Sequence, residues 1–187
     1  MNRIAAAMTI AVAGCSAPTG PAAEPQPDPT FRVELERGMC LGPCPVYKVE
    51  IDHTGLVTFT GSNSNIAPHV PCQGERQWRI QPAQVRRLEA LIDGSGFFDF
   101  KPEYVAGITD QSAYAVTVTR RGQTKRVQDY VGQMVGMPAA MTQIEEAVDI
   151  SADDKDCVVA ATTATNPAMR KAASHPSASA LTSRPPP

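Results

Sequence analysis

Three consecutive runs alternate apolar with polar residues at a period of two, and that constrains the fold more than any other feature of the chain. Val33 and Leu35 interleave with Arg32, Glu34 and Glu36. Tyr47, Val49 and Ile51 interleave with Lys48, Glu50 and Asp52. Val57 and Phe59 interleave with Thr58 and Thr60. Successive side chains of a strand point to opposite faces, so each run predicts a strand with one buried and one wet face. His53-Thr54-Gly55 between the second and third runs reads as a hairpin turn. Residues 76–80 predict a fourth, short strand carrying Trp78, the only tryptophan.

The period then changes. Gln81-Pro82 places a proline at the first helical position, followed by Val85, Leu88, Leu91 and Ile92 on one stripe, and Gly94 and Gly96 end the helix. Phe97, Phe98 and Phe100 follow as packing residues. Tyr114, Val116 and Val118 alternate again, Arg121-Gly122 turns the chain, and residues 125–130 return as a second hairpin. Met137-Pro138 opens a second helix with Met141, Ile144 and Val148 on one face. The expected order is β-β-β-β-α-β-β-α. That is an α+β domain, a mostly antiparallel sheet with two helices on one face.

The ends of the chain have a different composition. Arg3 precedes an apolar, acid-free run over residues 4–13, and Val12-Ala13-Gly14-Cys15 places small residues before a cysteine. This is the layout of a secretory signal peptide, too short to span a bilayer, which takes roughly 20 apolar residues. The cysteine makes it resemble a bacterial lipoprotein signal. That resemblance implies removal of residues 1–14, lipidation (palmitate included) of Cys15, and attachment to a membrane. Ser16 is uncharged, and in the proteobacterial lipoproteins this resembles, that implies an outer-membrane location facing the periplasm. Residues 15–30 are expected to form a tether, in which the recurrent prolines of residues 17–30 impose an extended course spanning roughly 45 Å or less. The globular domain is expected over residues 31–150. Residues 151–187, rich in Ala, Ser, Thr and Pro, lack any core period and are expected to be a disordered tail.

The domain is large enough for one core, with 42% hydrophobic residues in the whole chain, and a net charge of −2 provides no field for recruiting nucleic acid. Setting Cys15 aside leaves Cys40, Cys44, Cys72 and Cys157, an even number in an exported chain, which argues for disulfides. Four cysteines allow three pairings. Cys40–Cys44 with Cys72–Cys157 is favoured, because Leu41-Gly42-Pro43 is a turn-forming spacer and the second bridge would staple the C-terminal helix to the middle of the domain.

The run Cys40-Leu41-Gly42-Pro43-Cys44-Pro45-Val46-Tyr47 resembles the C-x-G-x-C-P-x-Y signature of a bacterial domain family without an assigned function. Gly55 in a strand turn, Phe97-Phe98 after a helix, Thr109-Asp110, and a hairpin closing at Asp129-Tyr130 extend the resemblance over residues 31–150. It implies a fold and frequent export or lipid anchoring, not a chemistry. Gln111-Ser112 stand where a proline is common in the family.

Candidate chemistry is sparse. As a disulfide, Cys40–Cys44 fixes a turn. As a thiol-redox site it would need a helix N-terminus or nearby cation to lower a thiol pKa. As a copper site it superficially resembles the C-x-x-x-C-P of periplasmic copper chaperones, with His53 and His69 as the nearby imidazoles. His175 lies in the tail, and none of the 3 histidines has zinc-site spacing. No serine sits in a G-x-S-x-G elbow. Asp99, Glu103 and Asp110 follow the first helix, where paired carboxylates can do acid–base work or hold a hard cation. Arg120, Arg121, Lys125 and Arg126 flank one hairpin turn. The sequence therefore predicts a non-catalytic, lipid-anchored envelope protein without cofactor or metal. Its partners would be the membrane and an envelope protein or cell-wall component, with Asp110, Tyr47, Arg121, Lys125 and Arg126 as binding candidates. The alternatives are a periplasmic thiol-redox or copper-handling protein and an envelope inhibitor of a hydrolase.

Overall fold

A computed structural model describes residues 25–62 and 70–158. Cys15, the tether up to residue 24, His69, His175 and the tail beyond Val158 lie outside the described residues.

Four strands come first: β1 (Arg32–Arg37), β2 (Tyr47–Asp52), β3 (Leu56–Gly61) and β4 (Gly74–Arg79). Helix α1 (Pro82–Ser95) follows, then β5 (Glu103–Val105), β6 (Tyr114–Arg120) and β7 (Gln123–Tyr130). Helices α2 (Ala139–Ala152) and α3 (Lys155–Val158) close the described chain. The strands form one sheet in the order β4-β3-β2-β1-β6-β7-β5. Neighbours pair antiparallel except β5, which lies parallel to β7. The molecule is therefore a mixed α+β domain. It departs from the expected order by one edge strand and one short helix. Strand β5 has only three residues, with Pro102 before it, too short to show a period. Helix α3 and the last two residues of α2 lie beyond residue 150, so ordered structure outlasts the boundary read from composition.

The alternation sets the layers. Val33 and Leu35 of β1, Val49 and Ile51 of β2, Val57 and Phe59 of β3, and Val116 and Val118 of β6 are fully buried. They share one core with Val85, Leu88 and Ile92 of α1 and Met141, Ile144 and Val148 of α2. The two helices contact each other, and α2 rests on β1 and β2. Each such side chain withdrawn from water contributes about 1.5–3 kcal/mol. The opposite face carries Glu34, Glu36, Lys48 and Glu50, paired in part as Lys48–Glu34 at 3.1 Å and Arg32–Glu50 at 3.2 Å. Helix α1 starts as its sequence requires: Pro82 needs no donor, and the Gln84 side chain accepts from the Gln81 N–H at 2.9 Å.

The cysteines pair as Cys40–Cys44 and Cys72–Cys157, with Cα–Cα distances of 5.8 and 4.7 Å. The second bridge closes a span of 85 residues. It ties α3 to the segment before β4, beside the Trp78 indole, whose N–H donates to the Ala152 carbonyl at 2.7 Å.

Candidate functional site

The apolar core stops one row short of the end of the sheet. Strand register places Arg37 opposite both Tyr47 and Tyr114, and Tyr114 opposite Asp129, which in turn faces Tyr104. Residues directly opposite in a ladder share a face. Arg37 continues the series Val33, Leu35, so this Tyr47-Arg37-Tyr114-Asp129 row points to the core side. Above it α2 brings Glu145 and Asp149, four residues apart and hence on one helical face. Both are flanked by the buried Ile144 and Val148.

This end of the core is short of positive charge. Glu145 and Asp129 are each only 7% exposed, and Asp154, just past α2, is buried as well. Asp129 accepts from the Gly132 N–H at 2.6 Å, and Asp149 accepts from the Tyr47 hydroxyl at 2.8 Å. Arg37 is the one cation facing these groups among the described residues, its guanidinium 5.0 Å from the centroid of the Tyr114 ring. Arg37 Nε is buried without a hydrogen-bond partner, and the buried carboxyls pair with one another, Glu145 with Asp129 and Asp149 with Asp154. Burial, reinforced by the Asp129 charge, pushes the Glu145 carboxyl up to about 8. Burial and the neighbouring Asp149 push Asp154 up to about 7. Burial raises Asp149 too, against the hydrogen bond from Tyr47 and the charge of Arg37, which hold it down. Burial, with Asp149 opposite, raises the Tyr47 phenol, so the hydroxyl stays a donor.

The row opens outward into a cleft of about 370 Å³ whose lining includes Arg37, Cys44, Gln111, Tyr114, Asp129 and Glu145. That volume falls within the range of small-ligand pockets. Three loops surround it because β1, β6 and β7 all have their row residues at this end. They are the disulfide loop between β1 and β2, the loop before β6, and the turn after β7. The Leu41 N–H donates to the Asp110 carbonyl at 3.2 Å, the Ser112 hydroxyl to the Gly38 carbonyl at 2.6 Å, and the Gln111 N–H to the Tyr130 hydroxyl at 3.2 Å. Val131 is held at φ 53°, a conformation costly for a β-branched residue, and next to it Gly132 leaves no room for a Cβ, which would sit 2.7 Å from that of Tyr104.

Residues 31–152 match the family described as Domain of unknown function (DUF6438). The chain belongs to that family. No curated protein matches it. In this DUF6438 domain the Cys40–Cys44 loop, the Thr109-Asp110 loop and the Asp129-Tyr130 strand end, far apart in sequence, meet around one cleft.

The structure sorts the binding candidates. Tyr47 is in the row, buried, with its hydroxyl on Asp149. Asp110 sits at the rim with φ 71° and accepts from the Thr109 hydroxyl. The basic residues form no common patch. Arg120 is buried against Glu89 at 3.2 Å and against Asp93. Arg121 is exposed at the hairpin tip, its N–H donating to Asp28. Lys125 donates to the Phe100 carbonyl at 2.6 Å, and Arg126 pairs with Glu36 at 3.2 Å on the open sheet face. Asp99 and Glu103 are exposed and, like the other acids, belong to no metal-ligand group among the described residues. His53 lies in the β2–β3 turn, at the other end of β2 from Cys44. Sequence reading missed Arg37, Asp129 as an inward-facing acid, Glu145, Asp149 and Asp154. The available signal was the alternation itself. Followed one residue further it puts Arg37 inward after Leu35, and Asp129 inward after Val127.

Proposed function

We propose that this is a non-catalytic binding domain, tethered to the outer membrane through lipidated Cys15, that engages an envelope partner with the loop end of its sheet. The observation that carries the reading is the composition of that end. Leu41 (81% exposed), Met134 (67%) and Met39 (59%) stand in the loops that surround a cleft floored by buried, incompletely paired polar groups. Exposed apolar side chains gathered in adjoining loops mark a surface suited to protein binding.

The tether supports the same reading. Asp28 fixes the incoming chain at the opposite end of the sheet, where its carboxylate accepts from the Arg121 N–H at 3.1 Å. Its own N–H donates to Glu89 at 3.2 Å. A lipid at Cys15 would thus attach the domain from the hairpin end and leave the cleft, roughly 20 Å away along β1, free of the attachment point. A copper or redox role fits less well. The two thiols of the signature are bridged to each other, and His53 lies at the wrong end of β2. Inhibition of a hydrolase would be one form of the binding proposed here.

Photo-cross-linking in cells tests the reading. A photoreactive residue at Leu41 is expected to give discrete adducts, and one at Thr54, at the tethered end, none. Equal labelling from both positions, or none from Leu41, would refute it.

A further inference from the structure

We infer that two copies of this chain pair through β4, antiparallel and in one register, with Gln77 of each opposite Gln77 of the other. This surface is separate from the partner surface proposed above. Strand β4 ends the sheet beyond β3 and contributes nothing to the cleft.

The ladder fixes where the backbone groups of β4 point. In an antiparallel pair, residues whose N–H and C=O face the neighbouring strand alternate with residues whose groups face away. The Ile80 N–H donates to the Gly55 carbonyl at 2.9 Å. Ile80 therefore faces β3, and at steps of two so do Trp78, Arg76 and Gly74. The other side of β3 gives the same phase. The Ser62 N–H donates to the Val46 carbonyl at 3.0 Å, so Thr60 and Thr58 face β2, and Phe59 and Val57 are left to bond Arg76 and Trp78. Glu75, Gln77 and Arg79 thus direct their N–H and C=O groups away from the sheet, along an open edge. Such an edge is a template for another strand unless proline, a bulge or repelling charge guards it. Strand β4 has no proline, and its register with β3 is unbroken over all six residues.

Its charges suit a second copy. A two-fold axis perpendicular to the sheet at Gln77 sets Glu75 opposite Arg79 twice, and residues directly opposite share a face. Neither side chain has an ion-pair partner among the described residues. Glu75 accepts from the Gln77 amide at 3.2 Å with one oxygen, and Arg79 uses one guanidinium nitrogen on Thr54. The other oxygen and the other nitrogens are available across the axis. On the helix side the same axis sets exposed Arg76 against the half-buried Trp78 indole, a favourable cation–aromatic pair. Every outward N–H and C=O of Glu75, Gln77 and Arg79 then finds a partner. Moving the axis by one residue sets Arg76 against itself or Gln77 against Arg79, and either shift loses both ion pairs. One strand per copy is a small contact beside the roughly 1,200–2,000 Å² of a stable interface, so the pair is weak in dilute solution.

The test uses the full-length chain carrying Cys15→Ala at about 1 mM, where even a millimolar Kd populates the pair. Gln77→Cys places one thiol directly opposite its copy, with Cα atoms about 5.5 Å apart in a hydrogen-bonded pair, within disulfide range. Mild oxidation should convert it to a covalent dimer, read by mass and by the bridged peptide after digestion. Glu75→Cys and Arg79→Cys should give little dimer alone and should bridge to each other when mixed. In the Gln77→Cys chain, Glu75→Arg or Arg79→Glu sets like charges opposite and should lower the dimer yield at least about fivefold. The two reversals together should restore it, which a loss of fold would not allow. All three positions are exposed, so the substitutions leave the core intact. No dimer from Gln77→Cys, equal dimer from the three single cysteine variants, or a yield indifferent to charge reversal would each overturn the inference. The cross-linking proposed above reads separately. Thr54 lies across β4 from the second copy, two strand spacings or about 10 Å away, beyond the reach of a short photoreactive side chain.

Discussion

Arg37 and Glu145 define the site at the scale of single residues. Arg37 occupies an inward strand position that apolar side chains fill elsewhere, and Glu145 occupies an inward helix position between Met141 and Val148. Neither is required by the core, since an apolar residue at either place would avoid a desolvation cost. The sign of the pH effect follows from the raised Glu145 pKa. Its unfolded value is near the ordinary 4.5 and its folded value about 8. The folded state therefore binds the proton more tightly. The stabilisation this provides is fully present below pH 4.5 and is lost as pH rises to 8. Asp154 adds the same trend, ending near pH 7. Denaturant titrations should show stability falling by a few kcal/mol from pH 5 to pH 8, and Glu145→Gln should remove a large part of that slope. A slope unchanged in the variant would show that Glu145 ionises normally in the fold.

Elements were legible where their period was long enough to register. Strands β1, β2, β3, β6 and β7 and both long helices fall where alternation, Pro82 and Pro138 place them. Strand β5 is held by parallel pairing of Glu103, Tyr104 and Val105 with β7, a tertiary contact without a local signature. Helix α3 is four residues long, and a helix that short owes its existence to what anchors it, here the Cys72–Cys157 bridge. The lysine and arginines of the β6–β7 hairpin read as one patch in sequence. The ladder disperses them, because alternate positions of β7 face opposite sides and Arg120 turns inward to Glu89 and Asp93. Replacing Cys72 and Cys157 together by alanine should lower stability by up to about 4–5 kcal/mol in the chain-entropy picture. The same change should release amide protection in α3 and the last turn of α2 before the rest of the domain. Hydrogen exchange would check the order of that loss, and uniform protection across α2 and α3 in the double variant would argue that the bridge contributes little.

The whole molecule is polarised along the direction of β1. The chain enters at the β6–β7 hairpin end, where Asp28 is pinned, and the cleft lies at the opposite end, beyond Arg37. This polarity was invisible in the sequence, because it depends on register between strand residues up to 87 apart in the chain, as Arg32 and Thr119 are. The tether reading was fully local, carried by Arg3, the apolar run and Cys15. Substitution Cys15→Ala is predicted to move the protein from the membrane fraction to the soluble fraction of the envelope while leaving its melting temperature unchanged, and retention in membranes would refute the proposed anchor. What remains central is the claim that a buried, under-neutralised carboxyl opens onto the cleft. Carbon-13 NMR of the Glu145 side-chain carboxyl, followed through a pH titration of the native chain, tests it most directly. The account predicts a midpoint near 8 that drops when Asp129 is replaced by asparagine. A midpoint near 4.5, unmoved by that substitution, would contradict it.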